Sequence, residues 1–189
     1  LTTLNNAMKV PPAAILDLCA APGGKTLLIH DLHPHAALYA NDSSANRIAM
    51  LRENLSKYGV AATLFCSTAQ KFRSDSLFDL IILDVPCSNS GTLGRRPEAR
   101  WRLDSDHLQQ LNTLQRQIVS HAAQFLSPRG QLWYLTCSIL QEENEEITQW
   151  ACREHNLKPV SEALSILPNA MRWDGGFAQA LIPQSQACP

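Results

Sequence analysis

The segment Leu16-Asp17-Leu18-Cys19-Ala20-Ala21-Pro22-Gly23-Gly24-Lys25-Thr26 constrains the fold of this chain more than any other, because an apolar run stops abruptly at a turn of small residues with two glycines. Ala14 to Leu18 reads as a buried parallel strand, and Gly24 to Leu32 reads as the helix that follows. Gly23 and Gly24 carry no Cβ, so backbone can come close to a bound molecule at the helix N-terminus, where free N–H groups favour an anion or a carboxylate. In an open α/β sheet, cofactors sit at such strand-to-helix turns.

The spacing separates the cofactor classes. A phosphate-cradling loop needs G-x-x-x-x-G-K-[ST], and this chain has Gly24-Lys25-Thr26 with Cys19 in place of the first glycine. Pro22 restricts the loop further and removes one N–H that a phosphate would use. The dinucleotide fingerprint G-x-G-x-x-G is absent too. A nucleoside cofactor remains, because Ala37 to Asp42 reads as a second strand ending in a carboxylate 18 residues after Gly24, close to the spacing of about twenty at which an acid reaches ribose hydroxyls. Aspartate is also a common helix cap, so both readings of Asp42 stand.

Further elements follow in alternation. Ile48, Leu51, Leu55 and Tyr58 have helical spacing, with Ser43 or Ser44 as cap and Gly59 as stop. Ala61 to Cys66 reads as a third strand and Asp79 to Asp84 as a fourth. Leu108, Leu111, Leu114, Ile118 and Phe125 mark a long helix ending at Ser127-Pro128-Arg129-Gly130. Gln131 to Ser138 is the next strand, with Trp133 and Tyr134 read as core, and the acidic run Glu142 to Glu146 suits the start of another helix. Such alternation implies parallel strands joined by right-handed crossovers.

With 45% hydrophobic residues in 189, the chain is long enough for one core, and residues 1–189 are read as a single domain. No apolar run approaches the roughly 20 residues that cross a bilayer. Cys19, Cys66, Cys87, Cys137, Cys152 and Cys188 show no C-x-x-C spacing, so no metal site is expected. Without a secretion signal, free thiols in a reducing cytoplasm are expected. Cys19 reads as loop packing; Cys66, Cys152 and Cys188 read as inert or surface thiols. Since the first residue is Leu1, a longer parent protein is expected.

Two strand ends carry the chemistry. Asp84-Val85-Pro86-Cys87-Ser88 and Thr136-Cys137-Ser138, the latter followed by Gln141-Glu142-Glu143-Asn144, reach the same carboxyl edge as the glycine turn. Together with DLCAAPGGKT, these motifs resemble the S-adenosylmethionine-dependent RNA cytosine-5 methyltransferases, the Sun/Nop2/NSUN family, and within it the bacterial 16S ribosomal RNA enzymes. The resemblance runs from about Ile15 to Ile182. It implies a Rossmann-like class I methyltransferase fold, a mostly parallel seven-stranded sheet with helices on both faces, closed by an antiparallel strand at Phe177 to Ile182. Carbon 5 of cytosine is a poor nucleophile until a thiolate adds to carbon 6. The resemblance makes Cys137 that thiolate and gives Cys87 the release of product; DNA enzymes place the nucleophile in the Pro-Cys dipeptide instead.

The same resemblance assigns the remaining site. Asp84 would bond the cytosine amino edge or protonated N3 and reach the cofactor, with Lys25 orienting it. Cys19, Ala20, Ala21, Pro22, Gly23 and Gly24 would hold the methionine carboxylate of S-adenosylmethionine, and Asp42 its ribose. An aspartate after the third strand usually contacts adenine; here Thr68 stands there, without the charge.

The implied partner is RNA, ribosomal or transfer, bound by a monomer, with an RNA-binding region preceding this core. The net charge of −1 gives no general basic surface, but Arg95, Arg96, Arg100 and Arg102 cluster after the Pro-Cys motif with Trp101 among them, the first three as RNA-binding candidates. They suit phosphate contact beside a base-flipping pocket, or a solvated surface. Rival readings are a nucleotide hydrolase using Lys25 and Thr26 for phosphate and Asp84 for magnesium, and a non-catalytic RNA-binding assembly factor.

Overall fold

The computed structural model describes residues 1–169 and 173–184. Cys188 lies outside them. A short helix α1 (Thr2–Asn6) precedes β1 (Ala14–Asp17), α2 (Gly24–Leu32), β2 (Ala37–Asp42), α3 (Ala45–Lys57), β3 (Thr63–Cys66) and β4 (Phe78–Asp84). The second half contains α4 (Ser105–Ala123), β5 (Leu126–Thr136), α5 (Glu145–Glu154), β6 (Leu157–Pro159), β7 (Leu164–Ile166) and β8 (Gly176–Pro183). The strands run in the order β3-β2-β1-β4-β5-β8-β6. The first five are mutually parallel, whereas β8 is antiparallel to its neighbours.

Side-chain alternation along the central strands sorts the core into two layers. Leu16, Ile81, Leu83, Leu132 and Tyr134 face Ile118, Val119 and Ala122 of α4 and Ile147 and Ala151 of α5. Ile15, Leu80, Ile82, Trp133 and Leu135 face Leu4 of α1, Ile29 of α2 and Ile48, Leu51 and Leu55 of α3. Helices on both faces bury both sides of the sheet, which is why its strands read as unbroken apolar runs. Trp133 and Tyr134 are core, as expected.

Four sequence expectations change in detail. The sheet has eight strands rather than seven, because the last edge is split: β6 pairs with Leu181–Pro183 and β7 with Gly176–Ala178 of the same β8. Tyr58 is not on the buried face of α3; it is the C-cap residue and 64% exposed. The long helix does not reach Ser127 but ends at Ala123, and Ser127 to Gly130 lie within β5, where Leu126 pairs with Phe78 before the register shifts to Leu80 opposite Gln131. Ser127 Oγ donates to Asp79 Oδ1 there at 2.9 Å, which anchors the irregular stretch. Finally, α5 starts at Glu145, and Gln141–Glu143 form a separate 3-10 turn. Among the described residues no helix is long and apolar enough to cross a membrane.

Candidate active site

Parallel β1, β2, β4 and β5 deliver their carboxyl ends to one edge, so residues far apart in sequence converge there. After β1, Gly23 adopts φ +108°, and a Cβ on it would lie 2.7 Å from Leu51 Cδ1, so both conformation and packing demand glycine. A Cβ on Gly24, by contrast, would meet nothing within 4 Å. Space for a ligand therefore opens beside the first residue of α2. Beneath the turn, Asp17 is buried and its Oδ2 accepts from Thr26 Oγ1 at 2.7 Å, while Oδ1 has no partner among the described residues. Burial pushes the Asp17 carboxyl up to about 7.

Asp42 is only 2% exposed. Its Oδ2 accepts from Ala21 N–H at 3.2 Å and meets Arg47 Nη2 at 3.1 Å, and its Oδ1 accepts from Ser44 N–H at 3.2 Å. Arg47 Nη2 also donates to Ala21 O at 2.8 Å. Asp42 and Arg47 thus grip both polar groups of Ala21 and set the loop, a bracing role that a ribose contact would share. Thr68 follows β3 and is exposed on the same side. Cys19 packs against the core, and burial and nearby carboxylates push its thiol up, which keeps it protonated. Cys66 is exposed, and burial raises the Cys152 thiol.

At the adjoining strand ends, Lys25 Nζ lies 2.6 Å from Asp84 Oδ2. Cys87 Sγ and Cys137 Sγ are 3.1 Å apart, and both side chains are part-buried. Their ionisation is opposed. Cys87 is pushed far up, first by donating its hydrogen to Cys137 and then by burial. Cys137 is lowered, first by accepting that bond, against burial and the Asp84 charge, with Lys25 helping. When protonated, Cys137 Sγ donates to Asn89 Oδ1 at 2.9 Å. Asn89 has φ +59°, which asparagine tolerates, and its Nδ2 donates to Cys87 O at 3.2 Å. Lys25, Asp84, Cys87 and Cys137 are therefore brought together as the motifs implied.

Several residues at the site escaped sequence reading. Ser90 Oγ lies 2.9 Å from Ser138 Oγ and Ser88 Oγ lies 3.4 Å from it, so serines weld the two cysteine loops. Glu143, read only as part of the acidic run that starts a helix, is fully buried and bonded to Ser88 and Gln115. The available signal was its place in a motif next to the Thr-Cys-Ser strand end, but charge alone argued for the surface.

The arginine loop divides. Arg95 Nε donates to Asp174 Oδ1 at 3.1 Å, and its Nη2 bonds Asp174 Oδ2. Arg96 and Arg100 are exposed, and Arg100 Cζ lies 5.6 Å from the ring centroid of Trp101, itself 81% exposed. Gly91 N–H donates to Cys137 O at 3.0 Å and Gly91 O accepts from Gly175 N–H at 2.8 Å, which ties this loop to the cysteine site. A cavity of about 420 Å³ lined by Met8, Pro12, Leu32 and His33 lies at the opposite end of the strands, away from the cysteines.

A sequence profile of the family described as 16S rRNA methyltransferase RsmB/F matches residues 5–187. The chain is 39% identical over 184 residues to ribosomal RNA small subunit methyltransferase B of Sodalis glossinidius, covering 92% of this chain and 42% of that protein. The protein of the same description from Shewanella oneidensis is 38% identical over 148 residues, 76% of this chain and 35% of that one. Among solved structures, NSun6 from Pyrococcus horikoshii with SFG superposes with a TM-score of 0.81 at 28% identity, over 90% of this chain and 48% of that chain. A methyltransferase homolog protein from the same organism gives 0.78 at 30% identity, over 92% and 62%. The chain spans about two fifths of the length of the curated relatives it matches. With residues 5–187 matched by the family profile and a relative 39% identical over 92% of it, the chain belongs to the RsmB/F family of 16S rRNA methyltransferases.

Proposed function

We propose that this chain is the catalytic domain of an enzyme that methylates carbon 5 of a cytosine in ribosomal RNA, through a covalent bond from Cys137 to carbon 6. The observation that carries the reading is the 3.1 Å cysteine pair with its opposed ionisation. A thiolate is the nucleophile, and a neighbouring thiol that holds its proton is a donor for the departing sulfur. Such a division gives Cys137 the attack and Cys87 the release.

S-adenosylmethionine would supply an electrophilic methyl group, and the turn after β1 fits it. The open space beside Gly24 and the free N–H groups of α2 suit its carboxylate. The unpartnered Oδ1 of Asp17 suits its ammonium, and Asp42 its ribose. SFG, held by the Pyrococcus relative, is an analogue of that cofactor. Thr68 offers a hydroxyl toward adenine.

The residues then act in order. Cys137 Sγ bonds to carbon 6, which moves ring electrons toward carbon 5 and the N3 side. Asp84, held by Lys25, accepts a hydrogen bond from the amino edge or protonated N3 as charge redistributes. After methylation, a base takes the carbon-5 proton, the ring double bond re-forms and the carbon–sulfur bond breaks, with Cys87 S–H donating a hydrogen bond that stabilises the departing Cys137 thiolate. The base must leave its helix for this chemistry, and the exposed Arg96, Arg100 and Trp101 suit the flanking strand. We take a monomer, acting in the cytoplasm, as the working form.

The deciding experiment incubates the chain with unmodified 16S rRNA and methyl-labelled S-adenosylmethionine, then locates the product by bisulfite sequencing. A protected cytosine that disappears with Cys137→Ala is expected. Label that bisulfite does not detect, or label retained by Cys137→Ala, would overturn the reading. A titration with magnesium ATP tests the hydrolase alternative, which requires binding.

A further inference from the structure

Glu143 is a fully buried carboxylate with no cationic partner among the described residues. An ion removed from water in this way is costly unless strong hydrogen bonds replace its hydration. All its compensation comes from one place. Oε1 accepts from Ser88 N–H at 2.9 Å and from Gln115 Nε2 at 3.1 Å, and Oε2 accepts from Ser88 Oγ at 2.5 Å. Gln115 Nε2 also donates to Pro86 O at 2.9 Å. Two acceptors thus dictate how the Gln115 amide faces, and its Oε1 is left without a partner among the described residues. Tyr134 Oη fixes the other end of the residue by donating to Glu143 O at 2.7 Å.

The peptide groups on both sides of Cys87 are therefore pinned, Pro86 C=O through Gln115 and Ser88 N–H directly. We infer that Glu143 is a positioning residue that holds the Cys87 thiol against Cys137 Sγ, acting through Ser88 and Gln115. Its charge adds to this by helping to keep Cys87 protonated. The mechanistic use of the contact rests on the two-cysteine reading proposed above; the contact itself does not.

The test uses the whole chain and reads Cys137 alone, by mass-spectrometric quantification of its alkylation by iodoacetamide as a function of pH. In Glu143→Gln, one of the two acceptor oxygens becomes an NH2 donor, so the three donors from Ser88 and Gln115 can no longer all be satisfied, the loop around Cys87 loosens and Cys87 drifts from Cys137. The alkylation midpoint of Cys137 should then rise toward that of an ordinary thiol, as in Cys87→Ala. Loss of negative charge without displacement would move it the other way. An unchanged or lowered midpoint overturns the inference. If Glu143→Gln does not fold, Ser88→Ala, which keeps the Ser88 N–H and Gln115 bonds, should show a smaller rise, and no rise would overturn it equally.

With unmodified 16S rRNA and S-adenosylmethionine, at a pH above the shifted Cys137 midpoint so that the nucleophile is ionised in both proteins, Glu143→Gln should keep its first turnover while later turnovers slow by on the order of tenfold to a hundredfold. RNA should remain attached to Cys137 on a denaturing gel. First and later turnovers falling together, with no attached RNA, would reduce Glu143 to a structural residue. If Cys87→Ala also traps no RNA while the midpoint shifts are seen, the positioning stands and the two-cysteine reading falls.

Discussion

At the scale of residues, a single sulfur–sulfur hydrogen bond sets two ionisation states in opposite directions. Cys137 is lowered because Cys87 donates to it, so its thiolate should form at lower pH than an ordinary thiol with a pKa of about 8.5. Its alkylation should reach half-maximal rate below that pH in the wild type and shift upward in Cys87→Ala, with Cys87→Ser retaining part of the effect through its hydroxyl. An unshifted profile in Cys87→Ala would remove the bond as the cause. Asp17 makes a second prediction. Its folded carboxyl is raised to about 7 by burial, above its ordinary value of 3.8, so between those values the native state binds more protons than the unfolded chain. Its contribution to stability is present at low pH and is lost as pH rises through 7. Asp17→Asn should remove this pH dependence, and urea midpoints at pH 5 and pH 8 should lie closer together than in the wild type.

At the scale of elements, the turn between β1 and α2 separates the structural from the binding role of adjacent glycines. Gly23→Ala forces a left-handed conformation on alanine and a 2.7 Å approach to Leu51 of α3, and should destabilise by about 1–3 kcal/mol. Gly24→Ala meets nothing, so thermal stability should hold while S-adenosylmethionine affinity falls as the methyl group fills the ligand's space. Equal losses of stability in both would refute the distinction. Caps elsewhere were partly readable: of the two candidates Ser43 and Ser44, it is Ser44 Oγ that accepts from Arg47 N–H at 3.4 Å to start α3. Ser127 to Gly130, read as the end of the long helix, lie in β5 instead, because the pairing of Leu126 with Phe78 across the sheet outweighed Pro128 and Gly130 as local breakers.

At the scale of the molecule, the net charge of −1 leaves RNA attraction to local clusters. Arg96 and Arg100 are exposed and Arg95 is engaged with Asp174, so they should not behave alike. Replacing Arg96 and Arg100 with alanine should lower the logarithmic salt slope of RNA binding by up to about one unit per lost phosphate contact, with cofactor affinity unchanged. Arg95→Ala should instead loosen the link to the segment around Asp174, seen as faster amide exchange at Gly175 and Gly176. An unaltered slope in the first variant would return those arginines to the solvated surface.

The alternation of strands and helices from β1 to α5 and the residues at the strand ends were determined by the sequence alone. Period-two and period-3.6 spacing, cap residues and a glycine turn are encoded by neighbours along the chain, so β2 and α2 fall at their expected bounds. The motifs likewise named Lys25, Asp84, Cys87 and Cys137. Only the tertiary structure decided which of these groups lost water and which found partners. Burial of Glu143, the grip of Asp42 and Arg47 on Ala21, and the pairing of Arg95 with Asp174 join residues 21 to 79 positions apart. The split of the last edge into β6 and β7 is of the same kind, because both are defined by β8, which follows them in the chain. Desolvation and hydrogen-bond partnership are properties of a place in space, and a charged residue such as Glu143 reveals them only once the chain has closed around it.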